Sequence, residues 1–190
     1  MTSPLCPARP ADPRPALTDA KTIRASVTYN AEALKDWSRK NGPAQNDDSW
    51  VIDAVTDALV EASGDASHAL TLMELQHHWI ADWNLRWHFD IVVKNLPGFL
   101  ARALGEWVLR TATRFPGKVG DLIVFIEQDH HHSARIVKLY PIQAGAMVET
   151  EEGVRAFTHA ENVIENKTNR NQAHRFIHRL LTTPVQVRTP

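Results

Sequence analysis

The stretch "LMELQHHWIADWNLRWHFDI", residues 72–91, holds three of the chain's six tryptophans and three of its ten histidines. On a helical wheel at about 100° per residue, Trp79, Trp83 and Trp87 form one stripe, with Leu72, Met73, Ile80 and Ile91 on or near the same side. The other side gathers Glu74, His77, His78 and His88, together with Leu85 and Phe89. A helix apolar on one face and mixed on the other belongs between two layers. The tryptophan stripe reads as core, because large aromatic area on one face stabilises a small bundle.

The histidines raise a second question, whether this stretch holds a metal. Glu74-Leu75-Gln76-His77 has the E-x-x-H spacing that sets a carboxylate and an imidazole on one helix face in di-iron bundles. A second E-x-x-H runs from Glu127 to His130, and Glu61 and Glu106 are conceivable bridging carboxylates. Against this, Glu127 follows "GDLIVFI", a strand-favouring run, whereas di-iron ligands come from four long helices. His77 and His88 are about 16 Å apart along a helix, too far to share an ion. Packing with polar tips is the preferred reading. The alternative is a metal-dependent enzyme whose transition-metal ligands come from Glu74, His77, His130 and His132.

Upstream the signals are helical. "NAEALKDWSRKNG" predicts a short helix with Asn30 as N-cap, Ala33, Leu34 and Trp37 inward and Gly42 just past its end. "DDSWVIDAVTDALVEASG" predicts another, with Val51, Val55 and Leu59 at four-residue steps, Ile52 and Ala58 beside them, and Gly64 as terminator. Residues 47–74 carry seven acidic side chains and no Lys or Arg, which reads as a solvated helix face. Downstream, Leu96-Pro97-Gly98 reads as a turn into a helix from Phe99 to about Phe115, with Leu100, Leu104, Trp107 and Val108 inward. Its polar side shows Arg102, Glu106, Arg110 and Arg114 at i+4 steps, continued by Lys118, with Glu106–Arg110 in the favourable ion-pair orientation. The surplus is cationic, so this is a basic ridge able to track phosphates.

After Pro116 the texture changes. "GKVGDLIVFIEQ", "SARIVKLYPI", "GAMVETEEG" and "VRAFTHAENV" are short β-favouring runs divided by turn signals, suiting a small antiparallel sheet or barrel. Gly120-Asp121-Leu122-Ile123-Val124, Ala134-Arg135-Ile136-Val137, Val148-Glu149-Thr150 with Glu152-Gly153, and Ala160-Glu161-Asn162-Val163-Ile164 resemble an SH3-like small β-barrel of the Tudor, PWWP and integrase-tail kind. The resemblance covers residues 117–165 and implies a barrel that docks other molecules. It departs from the methyl-lysine readers, whose aromatic cage is not matched by Phe125, Tyr140 and Phe157. In this frame "DHHHS", residues 129–133, is the variable loop after the first strand, read as polar and exposed.

The last 25 residues hold Lys167, Arg170, Arg175, Arg179 and Arg188 and no acid. "NQAHRFIHRLL" predicts a basic amphipathic helix, apolar through Ala173, Phe176, Ile177, Leu180 and Leu181. The expected organisation is α+β: a Pro-rich disordered arm (1–18), a helical domain (19–116), a small SH3-like barrel (117–165) and a basic C-terminal helix and tail (166–190).

Composition narrows the function. A net charge of −1 excludes a wholly basic nucleic-acid binder and leaves a local patch. The single cysteine, Cys6, excludes a disulfide scaffold and a cysteine zinc site, and suits a reducing cytoplasm. No run of about eighteen apolar residues marks a membrane span. There is no G-x-S-x-G, H-E-x-x-H or phosphate-cradling glycine loop, so no catalytic residue is assigned. These readings point to a non-enzymatic binding or accessory subunit engaging nucleic acid or a nucleoprotein assembly, without a cofactor. Arg102, Arg110, Arg114, Lys118, Arg170, Arg175 and Arg179 would contact phosphates. A second alternative is an oligomeric protein-interaction scaffold pairing acidic and basic faces.

Overall fold

Helix α3 (Asp48–Glu61) is the element around which the first half of the chain packs. In the computed structural model, which describes residues 12–42 and 48–168, α3 lies against α1 (Ala20–Tyr29), α2 (Ala31–Asn41) and α4 (Ala66–His77). Val51, Ile52, Val55, Ala58 and Leu59 are all buried, as their spacing predicts. Leu34 and Trp37 of α2 join them, but Ala33 is exposed and Ala31 takes the inward place. The segment from Ser63 to Asp65 ends α3, with Gly64 at φ 83°, a conformation glycine adopts without steric cost. Asp65 then caps α4 by accepting from the His68 N–H at 2.7 Å.

Residues 72–91 are not one helix. The chain leaves α4 at His78, which is left-handed at φ 57°, and the Trp79 N–H reaches back to the Met73 carbonyl. That six-residue bond closes a helix C-terminus. Helix α5 (Trp83–Thr111) starts afresh, with a new rotational phase. The predicted tryptophan stripe is therefore broken: Trp79 is 2% exposed, whereas Trp83 is 74% and Trp87 49% exposed. The residues assigned to the opposite side, Leu85 and Phe89, are the ones that enter the core with Val92 and Leu96.

The predicted turn at Leu96-Pro97-Gly98 is also absent, since α5 runs through Pro97. Its apolar spacing continues across the proline, from Leu96 to Leu104 and Trp107. Pro97 itself is exposed, and the penalty of about 3 kcal/mol for its missing N–H is offset by burial on either side. The helix stops at Thr111 rather than Phe115, and Ala112 is left-handed at φ 52°. Among the described residues no helix is long and apolar enough to cross a membrane.

A five-stranded antiparallel sheet follows, β1 (Leu122–Glu127), β2 (His130–Tyr140), β3 (Gly145–Thr150), β4 (Arg155–His159) and β5 (Val163–Asn166), in the order β4-β3-β2-β1-β5. The α+β class is as expected. Ile123, Phe125, Ala134, Ile136, Ala146, Val148 and Val163 form the core of this part. The last strand-like run divides into β4 and β5, joined by a 3₁₀ turn at Ala160–Asn162.

"DHHHS" is not a loop. Gln128 and Asp129 are the two turn residues, both at positive φ (48° and 63°), the mirror-image geometry that matches strand twist. His130, His131 and His132 are already in β2, opposite Glu127, Ile126 and Phe125. The chain divides into two compact units between Trp107 and Val108. The Pro-rich arm up to residue 11 and the predicted C-terminal basic helix lie outside the described residues.

Candidate nucleic-acid interface

The outward face of β2, β3 and β4 is built by strand alternation and one bulge. Ala134, Ile136, Ala146 and Val148 point inward, so their strand neighbours point out. Between Ile136 and Lys138 the register shifts, and Val137 becomes the extra residue. The shift returns Lys138 and Tyr140 to the outer face. Cross-strand register then sets three rows: Arg135–Glu149–Arg155, Lys138–Met147–Phe157 and Tyr140–Gly145–His159.

Aromatic and cationic groups meet on these rows. Tyr140 and Phe157 pack edge to face at 5.5 Å between ring centroids, and Phe157 and His159 at 5.0 Å. Lys138 Nζ sits 4.9 Å over the Tyr140 ring, a cation–π arrangement. Arg155 donates to Glu149 at 2.8 Å, which neutralises the face's one carboxylate, and Arg135 donates to the Gly120 carbonyl at 2.7 Å. A Cβ added at Gly145 would lie 2.4 Å from Phe157 Cζ. Only a glycine lets that ring settle onto the sheet.

The sheet is anchored at its other side by a buried polar knot. Asp121 is 3% exposed and accepts from the Asn166 amide at 2.9 Å and from the Lys118 N–H at 3.1 Å. The same Asn166 amide donates to the Pro116 carbonyl at 3.0 Å, tying β5 to the entry of β1.

The predicted basic ridge is divided. Arg102 pairs with Glu106 at 3.8 Å, in place of the expected Glu106–Arg110 pair. Arg110 donates from Nε to Asp12 at 2.9 Å. Arg114 and Lys118 are exposed but lie beyond the end of α5, so the i+4 series stops at Arg110. Arg170, Arg175 and Arg179 lie outside the described residues. The charge balance is nonetheless uneven: residues 13–107 carry nine Lys and Arg against thirteen Asp and Glu, and residues 108–190 carry eleven against eight.

The metal-ligand candidates have other neighbours. Glu74 accepts from the Ala81 N–H at 3.2 Å, and His77 meets the Trp50 ring edge-on at 5.0 Å. Trp50 in turn packs on Trp79 at 6.0 Å, and Trp79 on Trp37 at 5.0 Å. His132 lies 5.5 Å from Phe125. Among the described residues, no group of three His, Cys, Asp or Glu side chains is placed to hold an ion.

His88 is half-buried on α5. Burial holds its imidazole below the usual value of about 6.5, and the Asp82 carboxylate opposes that shift. The unfolded chain therefore takes up this proton first as pH falls. The stability that neutral His88 contributes is fully present above about pH 6.5 and is lost as pH drops through the lower folded value. Between pH 7 and 5.5, urea midpoints should fall for the native chain, and His88→Gln should flatten that slope.

The outer-face cluster is not among the residues the sequence marks. Its signal is the alternation in "RAFTH", where Arg155, Phe157 and His159 share a face, and in "KLY", where Lys138 and Tyr140 do. No protein-family model, curated protein or solved structure matches the chain.

Proposed function

We propose that the protein is a non-enzymatic binding subunit that engages nucleic acid, alone or in a nucleoprotein assembly, through its cationic surfaces. The observation that carries this reading is the outward face of β2–β4, which Arg135, Lys138 and Arg155 share with Tyr140, Phe157 and His159. Clustered cations release counterions from a polyphosphate, and rings give bases a surface. Arg114, Lys118, Arg170, Arg175 and Arg179 are the further phosphate contacts. The same reading takes the sheet as an SH3-like barrel, supported by a four-strand meander and a fifth strand that returns beside β1 through a 3₁₀ turn.

The double variant Lys138→Glu, Arg155→Glu tests it. Both residues are exposed, but Arg155→Glu also sets a second carboxylate opposite Glu149, so urea midpoints are read alongside affinity. Affinity for a generic oligonucleotide should fall about tenfold or more at low salt. Unchanged affinity sinks the sheet as the interface.

A second reading has its own observation. Trp83 and Trp87 stand one helical turn apart on α5 and are 74% and 49% exposed. Exposed aromatic pairs of this size mark protein contacts, and self-association is the form proposed here. Light scattering should then show an assembled mass that Trp83→Arg with Trp87→Arg reduces. A monomer at all concentrations removes this reading.

A further inference from the structure

Resting on the nucleic-acid reading, we propose that the outer face of β2–β4 takes unpaired nucleotides in particular, bases on rings and phosphates on cations. Gly145 lies opposite both Tyr140 and His159 in the register. Without a side chain in the middle of that row, the Phe157 ring lies down over the glycine. Three rings from two strands thus form a continuous edge-to-face cluster, with neighbouring planes at 61° and 77° and centroids 5.5 and 5.0 Å apart, which offers bases ring faces and edges in turn. Tyr140, Phe157 and His159 are each half-buried. They are held in place before any ligand arrives, so little side-chain freedom is lost on binding.

The charges decide the occupant. Arg135 and Arg155 flank the platform on its first row, and Lys138 stands over the Tyr140 ring. A basic peptide would be repelled there, and Glu149 is already engaged by Arg155. A strand of nucleotides offers flat bases to the rings and phosphates to the cations at once. In a duplex the bases are stacked and paired, so their faces cannot reach a platform of this kind. Base-and-phosphate chemistry is shared by DNA and RNA. An oligo-dT arm and an oligo-U arm separate the two sources.

The test is fluorescence anisotropy of the full chain with oligo-dT, oligo-U and a DNA duplex of equal length, at one low salt concentration. At least one single strand should bind more tightly than the duplex. Tyr140→Ala should weaken that single strand by about fivefold or more and leave duplex binding unchanged. Tyr140→Phe, which keeps the ring, should retain affinity, so a folding defect is told apart from a lost stack. Phe157→Leu, which keeps apolar bulk on the sheet, should weaken the single strand as Tyr140→Ala does. Equal affinity for single strand and duplex, with Tyr140→Ala binding as the native chain does, overturns the platform and leaves phosphate binding standing. Absence of binding to all three probes overturns both.

Discussion

Asp82→Ala is expected to destabilise the helical unit by about 2–4 kcal/mol. One oxygen of this carboxylate does two jobs. It accepts from the Leu85 N–H at 2.7 Å, capping the start of α5, and from the Trp37 indole N–H at 2.8 Å, fixing α5 to α2. Losing the cap costs about 1 kcal/mol. Trp37 is 4% exposed, so its indole N–H would be left without its acceptor in a place water hardly reaches, adding about 1–3 kcal/mol. Asp82→Asn keeps an acceptor and should cost less than half as much. All six tryptophans lie between residues 37 and 107, so tryptophan fluorescence in urea reports this unit alone. A midpoint unchanged in Asp82→Ala would show that the α2–α5 tie is unimportant.

Asn166→Ala should be comparably damaging to the sheet, at about 2–4 kcal/mol. Its amide serves the buried Asp121 carboxylate and the Pro116 carbonyl at once. Alanine would leave a buried charge short of a donor and strand the carbonyl. Gly117 packs against the same groups, since a Cβ there would lie 2.7 Å from Ile136 Cδ1 and 3.0 Å from the Asn166 amide nitrogen. Hydrogen exchange at β1 and β5 amides is the readout: protection should collapse there first. Asn166→Asp removes the same donor and also places a second carboxylate beside Asp121, so it should be more damaging than Asn166→Ala.

How far the sequence announces this molecule depends on the range of the forces involved. Helix α3 is legible because Val51, Val55 and Leu59 repeat within one element and all reach the same core. The β-rich texture after Pro116 is legible for the same reason, as local preference and burial agree. The tryptophan stripe fails because a single left-handed residue, His78, resets the helical phase, and histidine is not a residue whose identity advertises that break. Pro97 misleads in the opposite direction. Its local penalty is plain in the sequence, whereas the burial of Leu96, Leu104 and Trp107 that offsets it is settled only by packing.

The candidate interface is harder still. Tyr140 and Phe157 become neighbours through β3, and the bulge at Val137 decides which face Lys138 and Tyr140 occupy. A slip of one residue would exchange the platform for the core. The helix-borne ridge was visible because i+4 spacing is a property of one helix. Its division came from a choice the spacing leaves open, Glu106 pairing with Arg102 rather than Arg110, and from a partner it does not specify, Asp12 for Arg110.

The central claim is that cations on the sheet unit hold polyphosphate, and a salt series measures it most directly. Anisotropy of the full chain on a single-stranded oligonucleotide should give affinity that falls linearly on logarithmic axes, with a slope of about −0.7 per phosphate contacted. Contacts through Lys138, Arg155 and Arg135 alone predict a slope near −2, and the Lys138→Glu, Arg155→Glu variant should flatten it. A slope near zero, or no binding at low salt, would contradict the account and assign the face to another ligand.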